Sequence, residues 1–268
     1  MSDNRPIGIF DSGVGGLTVV KEVAAAMPFE NIVYFGDTAR VPYGSKSKDT
    51  VTKFSVQIVK YLLKKNVKAI VVACNTVSAN CYEELTKIFT DTPIFEMVSF
   101  GVKAGLEATS SQRIGVIGTE ATIRSNAYER AFYDAAADIT VFSKACPLFV
   151  PLAEEGWTEN SVAEITSEIY LQELLDKEID ALVLGCTHYP LLLNCIHRAV
   201  GSVKVVNPAV RAAAEIKTFL STANMLAECV QHDRKLSFFV SDFTAKFNRI
   251  SKVVLGKAHI AEKVDLEV

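Results

Sequence analysis

Short apolar runs alternate along the chain with segments whose apolar positions recur every three or four residues. The first three runs are IGIF from Ile7, NIVYFG from Asn31 and AIVVAC from Ala69. The segment after the first run shows helical spacing at Leu17, Val20, Ala24 and Met27. Runs that are apolar on both faces and separated by helices are typical of parallel strands in a sheet covered on both sides.

The same alternation restarts after Val98–Gly101. The predicted strands of this second half are RIGVIG, ITVFSKACP, ALVLGC and VKVVNP. One helix is predicted from Thr119 through Phe132, and another begins at about Thr158. The stripe expected to face the core on that second helix is Val162, Ile165, Ile169 and Leu174. The second half therefore also has the pattern of a parallel sheet with covering helices.

Short similarities link the two halves. IGIFDSG corresponds to IGVIGTE, and VVACNT corresponds to VLGCTH. From Ala209 the pattern predicts a helix, the short strand SFFV and a last helix that carries Phe243 and Phe247. We therefore predict an α/β protein of two similar domains, each a mainly parallel sheet flanked by helices, with the active site in the cleft between them. The pattern leaves open which half the tail after Asn207 completes.

Composition narrows the class of protein. The chain has 268 residues, of which 49% are hydrophobic and 22% charged, as in globular proteins with a sizeable core. The net charge is −3, so the chain lacks the excess of positive charge that is typical of proteins that bind nucleic acids or anionic membranes. The longest apolar runs are far shorter than the roughly 20 residues of a membrane span. With no signal-peptide pattern in MSDNRPIGIF, we expect a cytoplasmic protein.

Two of the six cysteines stand out by position. Cys74 and Cys186 each end an apolar run, and they occupy equivalent places in the two halves. There is no C-x-x-C pair, so we expect thiols and no metal site. The other cysteines are expected to be small buried apolar side chains, and they are Cys81, Cys146, Cys195 and Cys229.

Polar residues follow several of the predicted strands, where ligands bind in open parallel sheets. These residues are Asp11, Ser12, Gly13, Asp37, Thr38, Asn75, Thr76, Thr119, Thr122, Thr187 and His188. The same residue types also cap helices, and for Thr119 and Thr122 both interpretations stay open. Cysteine is not a preferred cap, which favours a chemical role for Cys74 and Cys186.

Two equivalent cysteines predict a particular chemistry. A helix N-terminus favours the thiolate form of cysteine. A single such cysteine would suggest a nucleophile, but two that face one cleft can remove and return a proton on opposite sides of a carbon. The pair must then hold one thiolate and one thiol. Asp11 and His188 are predicted to tune or relay these protons, and no cofactor is required.

Three other segments are weaker candidates. DSGVGGLT lies between a strand and a helix, but Thr18 replaces the third glycine of a dinucleotide fingerprint and Asp11 would repel a pyrophosphate. A small carboxylate substrate fits this loop better. RVPYGSKS brings Tyr43 and Gly44 near the predicted cleft. In PLAEEGW, Glu154 and Glu155 are expected to be solvated acids, and whether one of them reaches the cleft stays open.

The motifs together resemble those of glutamate racemases, in the aspartate/glutamate racemase family. They are FDSGVGGLTV, GDTARVPYG, ACNTVSA, GTEATI and LGCTHYPLL, in the family's order and extending to about Leu193. The resemblance implies a cofactor-independent enzyme that interconverts L- and D-glutamate and supplies D-glutamate for peptidoglycan. It also implies a homodimer, with a discontinuous first domain of residues 1–98 plus 208–268 and a second domain of residues 99–207.

The resemblance also assigns residues. It implies that Cys74 and Cys186 are the catalytic pair, assisted by Asp11 and His188. The substrate-binding residues that it implies are Asp11, Ser12, Tyr43, Gly44, Asn75, Thr76, Thr119, Thr122, Thr187 and His188. An aspartate racemase of the same family remains an alternative. A non-catalytic binding protein for a nucleotide or an amino acid is another, but it leaves the paired cysteines unexplained.

Overall fold

The computed structural model describes residues 3–228, 234–243 and 245–266, so Cys229 lies outside the described residues. The chain forms two β-sheets whose strand pairs are all parallel in this part of the chain. Helices cover both faces of each sheet. The predicted α/β fold class with two parallel sheets is confirmed.

The first sheet has six strands in the order β10-β9-β2-β1-β3-β4. The strands are β1 (Ile7–Asp11), β2 (Ile32–Gly36), β3 (Ala69–Val72), β4 (Ile94–Glu96), β9 (Leu236–Val240) and β10 (Ala261–Lys263). β1, β2 and β3 are buried at every position, which explains their continuous apolar sequences. The tail that the pattern left unplaced thus supplies two strands of this sheet.

The second sheet has four strands in the order β6-β5-β7-β8. The strands are β5 (Arg113–Gly118), β6 (Thr140–Ala145), β7 (Ala181–Gly185) and β8 (Lys204–Val206). In this sheet β7 lies beside β5 as an interior strand, just as β3 lies beside β1 in the first sheet. Cys74 therefore follows a central region of one sheet, and Cys186 follows the corresponding region of the other.

The helices pack in four layers, two for each sheet. On the first sheet, one face carries α1 (Leu17–Ala26), α10 (Pro208–Thr222) and α11 (Ala245–Leu255), and the other carries α2 (Lys48–Lys64) and α3 (Asn75–Ile88). On the second sheet, one face carries α7 (Phe149–Glu155), α8 (Ser161–Leu175) and α9 (Leu193–Val200), and the other carries α4 (Met97–Ala108) and α6 (Ala127–Ala135). None of the helices in the described ranges combines the length and hydrophobicity that crossing a membrane requires.

The single helix predicted from Thr119 to Phe132 is wrong. The structure has a short helix, α5 (Glu120–Arg124), followed by α6. Asn126 between them has a left-handed backbone with φ of 55°. Asparagine tolerates this conformation better than most residues, so the chain can break the helix there and change direction.

The core-facing stripe predicted for α8 is also wrong in three of its four positions. Val162, Ile165 and Ile169 are 45%, 55% and 69% exposed. The buried face consists of Ala163, Ser167, Leu171 and Leu174. α8 carries apolar residues on both sides, so hydrophobic spacing does not distinguish the side that packs against the sheet.

The pattern also missed several short elements and misplaced one residue. β4 and β10 have three residues each, and α7 has seven, so none of them shows a clear period. β8 is as short as β4, but its apolar run VKVVNP was predicted. Phe243 was predicted within the last helix but lies before α11 and is 65% exposed. Cys81, Cys146 and Cys195 are buried, as predicted.

Candidate active site

A cavity of about 240 Å³ lies between the carboxyl ends of the two sheets. Ten of the predicted site residues line it: Ser12, Tyr43, Gly44, Cys74, Asn75, Thr76, Thr119, Cys186, Thr187 and His188. Asp11 and Thr122 lie outside this lining, but each contacts a residue that belongs to it, Thr187 and Thr76 respectively. Residues that are far apart in sequence thus meet because parallel strands end at the same edge of a sheet.

Cys74 lies at the N-cap of α3, and Ala73 separates it from the end of β3. Its Sγ atom is 3.6 Å from the Ser12 hydroxyl oxygen. Burial, reinforced by the charge of Asp11, raises the pKa of the Cys74 thiol to about 12. The sequence predicted that the helix N-terminus would favour the thiolate, but desolvation of the buried sulfur raises its pKa by more than the hydrogen bond from the α3 backbone lowers it.

Cys186 follows β7, but an α-helix does not begin directly after it. A turn and the 3₁₀ helix Tyr189–Leu192 come first, and α9 starts at Leu193. The expectation of a helix N-terminus at this cysteine is therefore wrong. Pro190 lies in the first turn of the 3₁₀ helix, where it lacks a backbone N–H to donate. The polar side chain beside Cys186 is His188, whose Nδ1 atom is 3.8 Å from the Cys186 sulfur.

His188 lies between Cys186 and an acid. Its Nε2 atom is 3.3 Å from Glu154 Oε1, a distance that suits an ion pair although the atoms are not aligned as a hydrogen bond. Burial alone would lower the pKa of His188, but Cys186 and Glu154 raise it to about 10. Burial would raise the pKa of Glu154, whereas His188 and Lys246 lower it to about 2. Both groups are therefore charged at neutral pH.

Asp11 lies behind the cavity wall and is fully buried. Its carboxylate accepts hydrogen bonds from the Gly13 N–H at 3.1 Å and the Thr187 hydroxyl at 3.3 Å. Burial raises the pKa of Asp11, against the opposing charge of His188. Asp11 can thus set the charge around Cys74 and His188.

The glycine-rich loop after β1 packs against the loop after β7. A Cβ atom on Gly15 would lie 2.5 Å from both His188 Nδ1 and Thr187 Oγ1, so only glycine fits there without displacement. Thr18 strengthens the contact by donating to the Thr187 carbonyl at 2.9 Å. The loop therefore joins the two halves of the site, which accounts for its glycines without a phosphate group.

Three threonine hydroxyls form a cluster between α3 and α5. Thr76 Oγ1 lies 3.0 Å from Thr119 Oγ1 and 3.4 Å from Thr122 Oγ1. The side chain of Thr119 also accepts from the Thr122 N–H, so it caps α5 as well as lining the cavity. Capping a helix and lining the cavity, the two interpretations that the sequence left open for Thr119, are therefore compatible. Nearby, the Tyr128 hydroxyl donates to Asn75 Oδ1 at 2.7 Å, which orients the Asn75 amide toward the cavity.

Tyr43 and Gly44 belong to the 3₁₀ turn Tyr43–Ser45 at the cavity mouth. The Tyr43 hydroxyl donates to Asp37, which also accepts from Arg40 and from Ser241. Asp37 therefore fixes this turn and does not line the cavity itself. Gly44 faces Thr119 so closely that an added Cβ would lie 3.1 Å from the Thr119 Cβ atom.

The residues that the sequence assigns to the site leave out three polar members of the lining, Ser45, Glu120 and Glu154, and one apolar wall of the cavity. Glu154, expected to be solvated, lines the cavity with a side chain that is 16% exposed, whereas Glu155 is 53% exposed. Both acids lie in the last turn of α7, where the helix dipole disfavours negative charge and a nearby cation offsets it. Because α7 is too short to be recognised from the sequence pattern, this signal appears only in the structure. Pro147, Val150 and Pro151 form the apolar wall.

The arrangement suits a small anion and proton transfer. His188 is the one basic side chain among the described residues that line the cavity, so hydroxyl, amide and backbone N–H groups supply most of the polarity. Within the described residues, no group of three or more His, Cys, Asp or Glu side chains is placed to hold a metal ion. The cavity also brings together two thiols, one following a strand of each sheet, and a thiol is a group capable of acid–base chemistry.

Comparisons with known proteins agree on one family. The family model described as Asp/Glu/hydantoin racemase matches residues 12–216. A glutamate racemase of Geobacter metallireducens is 47% identical over 253 residues, covering 94% of this chain and 93% of that protein. A glutamate racemase of Neisseria meningitidis is 46% identical over the same shares. The crystal structure of glutamate racemase from Francisella tularensis in complex with D-glutamate has a TM-score of 0.92, 39% identity and 99% coverage of both chains.

Proposed function

This chain belongs to the Asp/Glu/hydantoin racemase family and, within it, to the glutamate racemases, and we propose that it interconverts L- and D-glutamate without a cofactor, using Cys74 and Cys186 as its two bases. The observation that carries this proposal is the meeting of two cysteines, one from the end of each sheet, in a single small cavity. Such a pair can act on both faces of one carbon.

The proposed reaction begins with one thiolate and one thiol. The thiolate takes the proton from the α-carbon, and the electron pair of the broken C–H bond is left on a planar carbanion conjugated with the carboxylate. The opposite thiol then donates its proton to the other face. The two cysteines end with exchanged protonation states, so the next turnover runs in reverse or awaits exchange with solvent.

The neighbours of the two sulfurs have distinct proposed roles. His188, charged at neutral pH, stabilises negative charge beside Cys186. Asp11 takes part in proton tuning and offers negative charge to the substrate ammonium. The residues proposed to bind substrate are Asp11, Ser12, Tyr43, Gly44, Asn75, Thr76, Thr119, Thr122, Thr187 and His188. Their hydroxyl and N–H groups suit two carboxylates and one ammonium group.

We also propose the biological role, the location, the oligomeric state and the domain boundaries of this chain. Supply of D-glutamate for peptidoglycan, a cytoplasmic location and a homodimer follow from the resemblance to the family. We also propose residues 1–98 plus 208–268 as one domain and residues 99–207 as the other. The return of β9 and β10 to the first sheet supports this division. The aspartate racemase alternative is disfavoured, because the relatives at 46–47% identity over most of the chain are named glutamate racemases.

Deuterium exchange tests the proposal directly. Incubated in D2O without cofactor, the protein should racemise L- and D-glutamate and place deuterium at the α-carbon of the product. Circular dichroism and mass spectrometry report the two events, and aspartate serves as the comparison substrate. Glutamate that stays optically unchanged and undeuterated would overturn the proposal, and faster turnover of aspartate would favour the alternative.

The cysteine variants test the two-base mechanism in the same assay. Cys74→Ser and Cys186→Ser should each lower racemisation by about 100-fold or more, since serine is a far weaker acid and general acid–base groups supply such factors. Cys81→Ser is the matched control, because Cys81 is buried in the core away from the cavity. Full activity in either active-site variant would contradict the mechanism.

A further inference from the structure

An ionic bridge joins the two sheets on the far side of Cys186. α11, which packs against the first sheet, presents Lys246 and Arg249 to α7 on the second sheet. Lys246 Nζ lies 2.9 Å from Glu154 Oε2 and 3.0 Å from Glu155 Oε1. Arg249 donates to the main-chain carbonyl of Glu154 and lies 3.6 Å from Glu155 Oε2.

The carboxylate of Glu154 is shared between two cations. Its Oε1 atom faces His188, and its Oε2 atom faces Lys246. The side chains of Glu154 and His188 are 16% and 7% exposed, so water contributes little to the position of either group. Because a carboxylate is planar, the contact of one oxygen with Lys246 fixes the direction of the other.

Building on the proposed function, we propose that Lys246 is a positioning residue, which holds Glu154 against His188 and so keeps the imidazole beside the Cys186 sulfur. Lys246 is not among the residues that line the cavity in the described part of the chain, so it acts through Glu154. This role of the contact between Lys246 and Glu154 would explain why α11, which packs against the first sheet, also contacts α7 on the second sheet.

The inference predicts an effect on one face of the reaction. Cys74 has its own neighbours, Ser12 and the start of α3, whereas the ion pairs that Lys246 makes within the described residues are with Glu154 and Glu155. Loss of Lys246 frees Glu154 to turn away, which leaves His188 without the partner that orients its ring. Proton transfer to and from Cys186 should then slow, while transfer at Cys74 keeps its rate.

The first measurement uses Lys246→Met with two comparison variants. Because the lysine is 40% exposed, we expect kcat/KM to fall only about 5- to 10-fold. Lys246→Arg keeps the charge and should restore most of the activity. Lys252→Met is the matched control, an exposed lysine of α11 with no ion pair among the described residues, and it should behave as wild type.

Primary isotope effects then separate positioning from general damage. The enantiomers have equal free energy, so kcat/KM must fall equally in both directions and cannot reveal a single face. With α-deuterated substrates, slowing only the Cys186 step should raise the isotope effect for one enantiomer and lower it for the other. Equal changes for both enantiomers, or wild-type kcat/KM in Lys246→Met, would overturn the inference.

The outcomes also distinguish this inference from the proposed function. If wild-type protein does not racemise glutamate, the proposed function fails. If wild type is active and the isotope effects of the variant stay symmetric, only the role of Lys246 fails. Should Lys246→Met not fold, Lys246→Gln gives the same isotope test with a polar side chain, and melting temperatures verify that each variant is folded.

Discussion

At the residue scale, the site combines buried groups whose pKa values are moved in opposite directions. Burial keeps the Cys74 thiol protonated with a pKa of about 12, and the pair of Glu154 and His188 stays charged. Groups with separated pKa values in one cleft are a feature of acid–base sites.

The raised pKa of His188 predicts how stability depends on pH. A group with a folded pKa of about 10 and an ordinary value of 6.5 stabilises the fold fully below about pH 6.5 and loses that contribution as the pH rises through about 10. The difference in melting temperature between wild type and His188→Gln should therefore narrow from about pH 7 to about pH 10. Thermal melts across this range measure it.

His259 provides the control for that experiment. Burial lowers the pKa of His259, so its titration lies below neutral pH. His259→Gln should consequently show a constant difference from wild type between about pH 7 and pH 10. A His188→Gln difference that widens with rising pH would contradict the charged state assigned to His188.

At the element scale, α8 shows how packing selects one of two apolar faces. The buried face uses small residues, Ala163 and Ser167, and the larger Leu171 and Leu174. Small side chains let the helix approach the sheet and α9 closely, which buries more of the leucines. Val162, Ile165 and Ile169 are left on the outside of this monomer.

Two matched truncations test the orientation of α8. Leu171→Ala should lower the free energy of unfolding by about 2–5 kcal/mol, because it leaves a cavity in the core. Ile169→Ala, two residues away, should change it by less than about 0.5 kcal/mol because the side chain is 69% exposed. Chemical denaturation measures both. Equal losses in the two variants would show that the exposed face is covered in solution.

At the scale of the whole molecule, a buried ion pair attaches the segment after α10 to the first sheet. Lys68 Nζ lies 2.6 Å from Glu30 Oε2, and their side chains are 0% and 2% exposed. Lys68 also donates to the carbonyls of Asp3 and Met225, and Glu30 accepts from the Ala227 N–H. One pair thus ties together three parts of the chain that are distant in sequence.

Removing the buried lysine should be costly. Lys68→Met leaves Glu30 buried without its cation, so we expect the free energy of unfolding to fall by about 3–5 kcal/mol. Lys103→Met breaks the exposed pair with Glu215 and should cost about 1 kcal/mol or less, since the lysine side chain is 52% exposed. Equal effects of the two substitutions in urea denaturation would contradict this ranking.

The sequence by itself determined the fold class, most long elements and ten residues of the cavity. It could do so because buried parallel strands are continuously apolar and because ligands bind where such strands end. Those signals are local. Cys74 and Cys186 could be paired from sequence alone, since each ends an apolar run in its own half.

Only the tertiary structure decided which surfaces and charges meet. It set the strand order that puts β9 beside β2, turned α8 to its small-residue face, and brought Lys246 to Glu154 and Glu154 to His188. It also showed that burial raises the pKa of the Cys74 thiol by more than the N-terminus of α3 lowers it. Desolvation and contacts between distant segments depend on three-dimensional packing, and the order of residues along the chain does not record them.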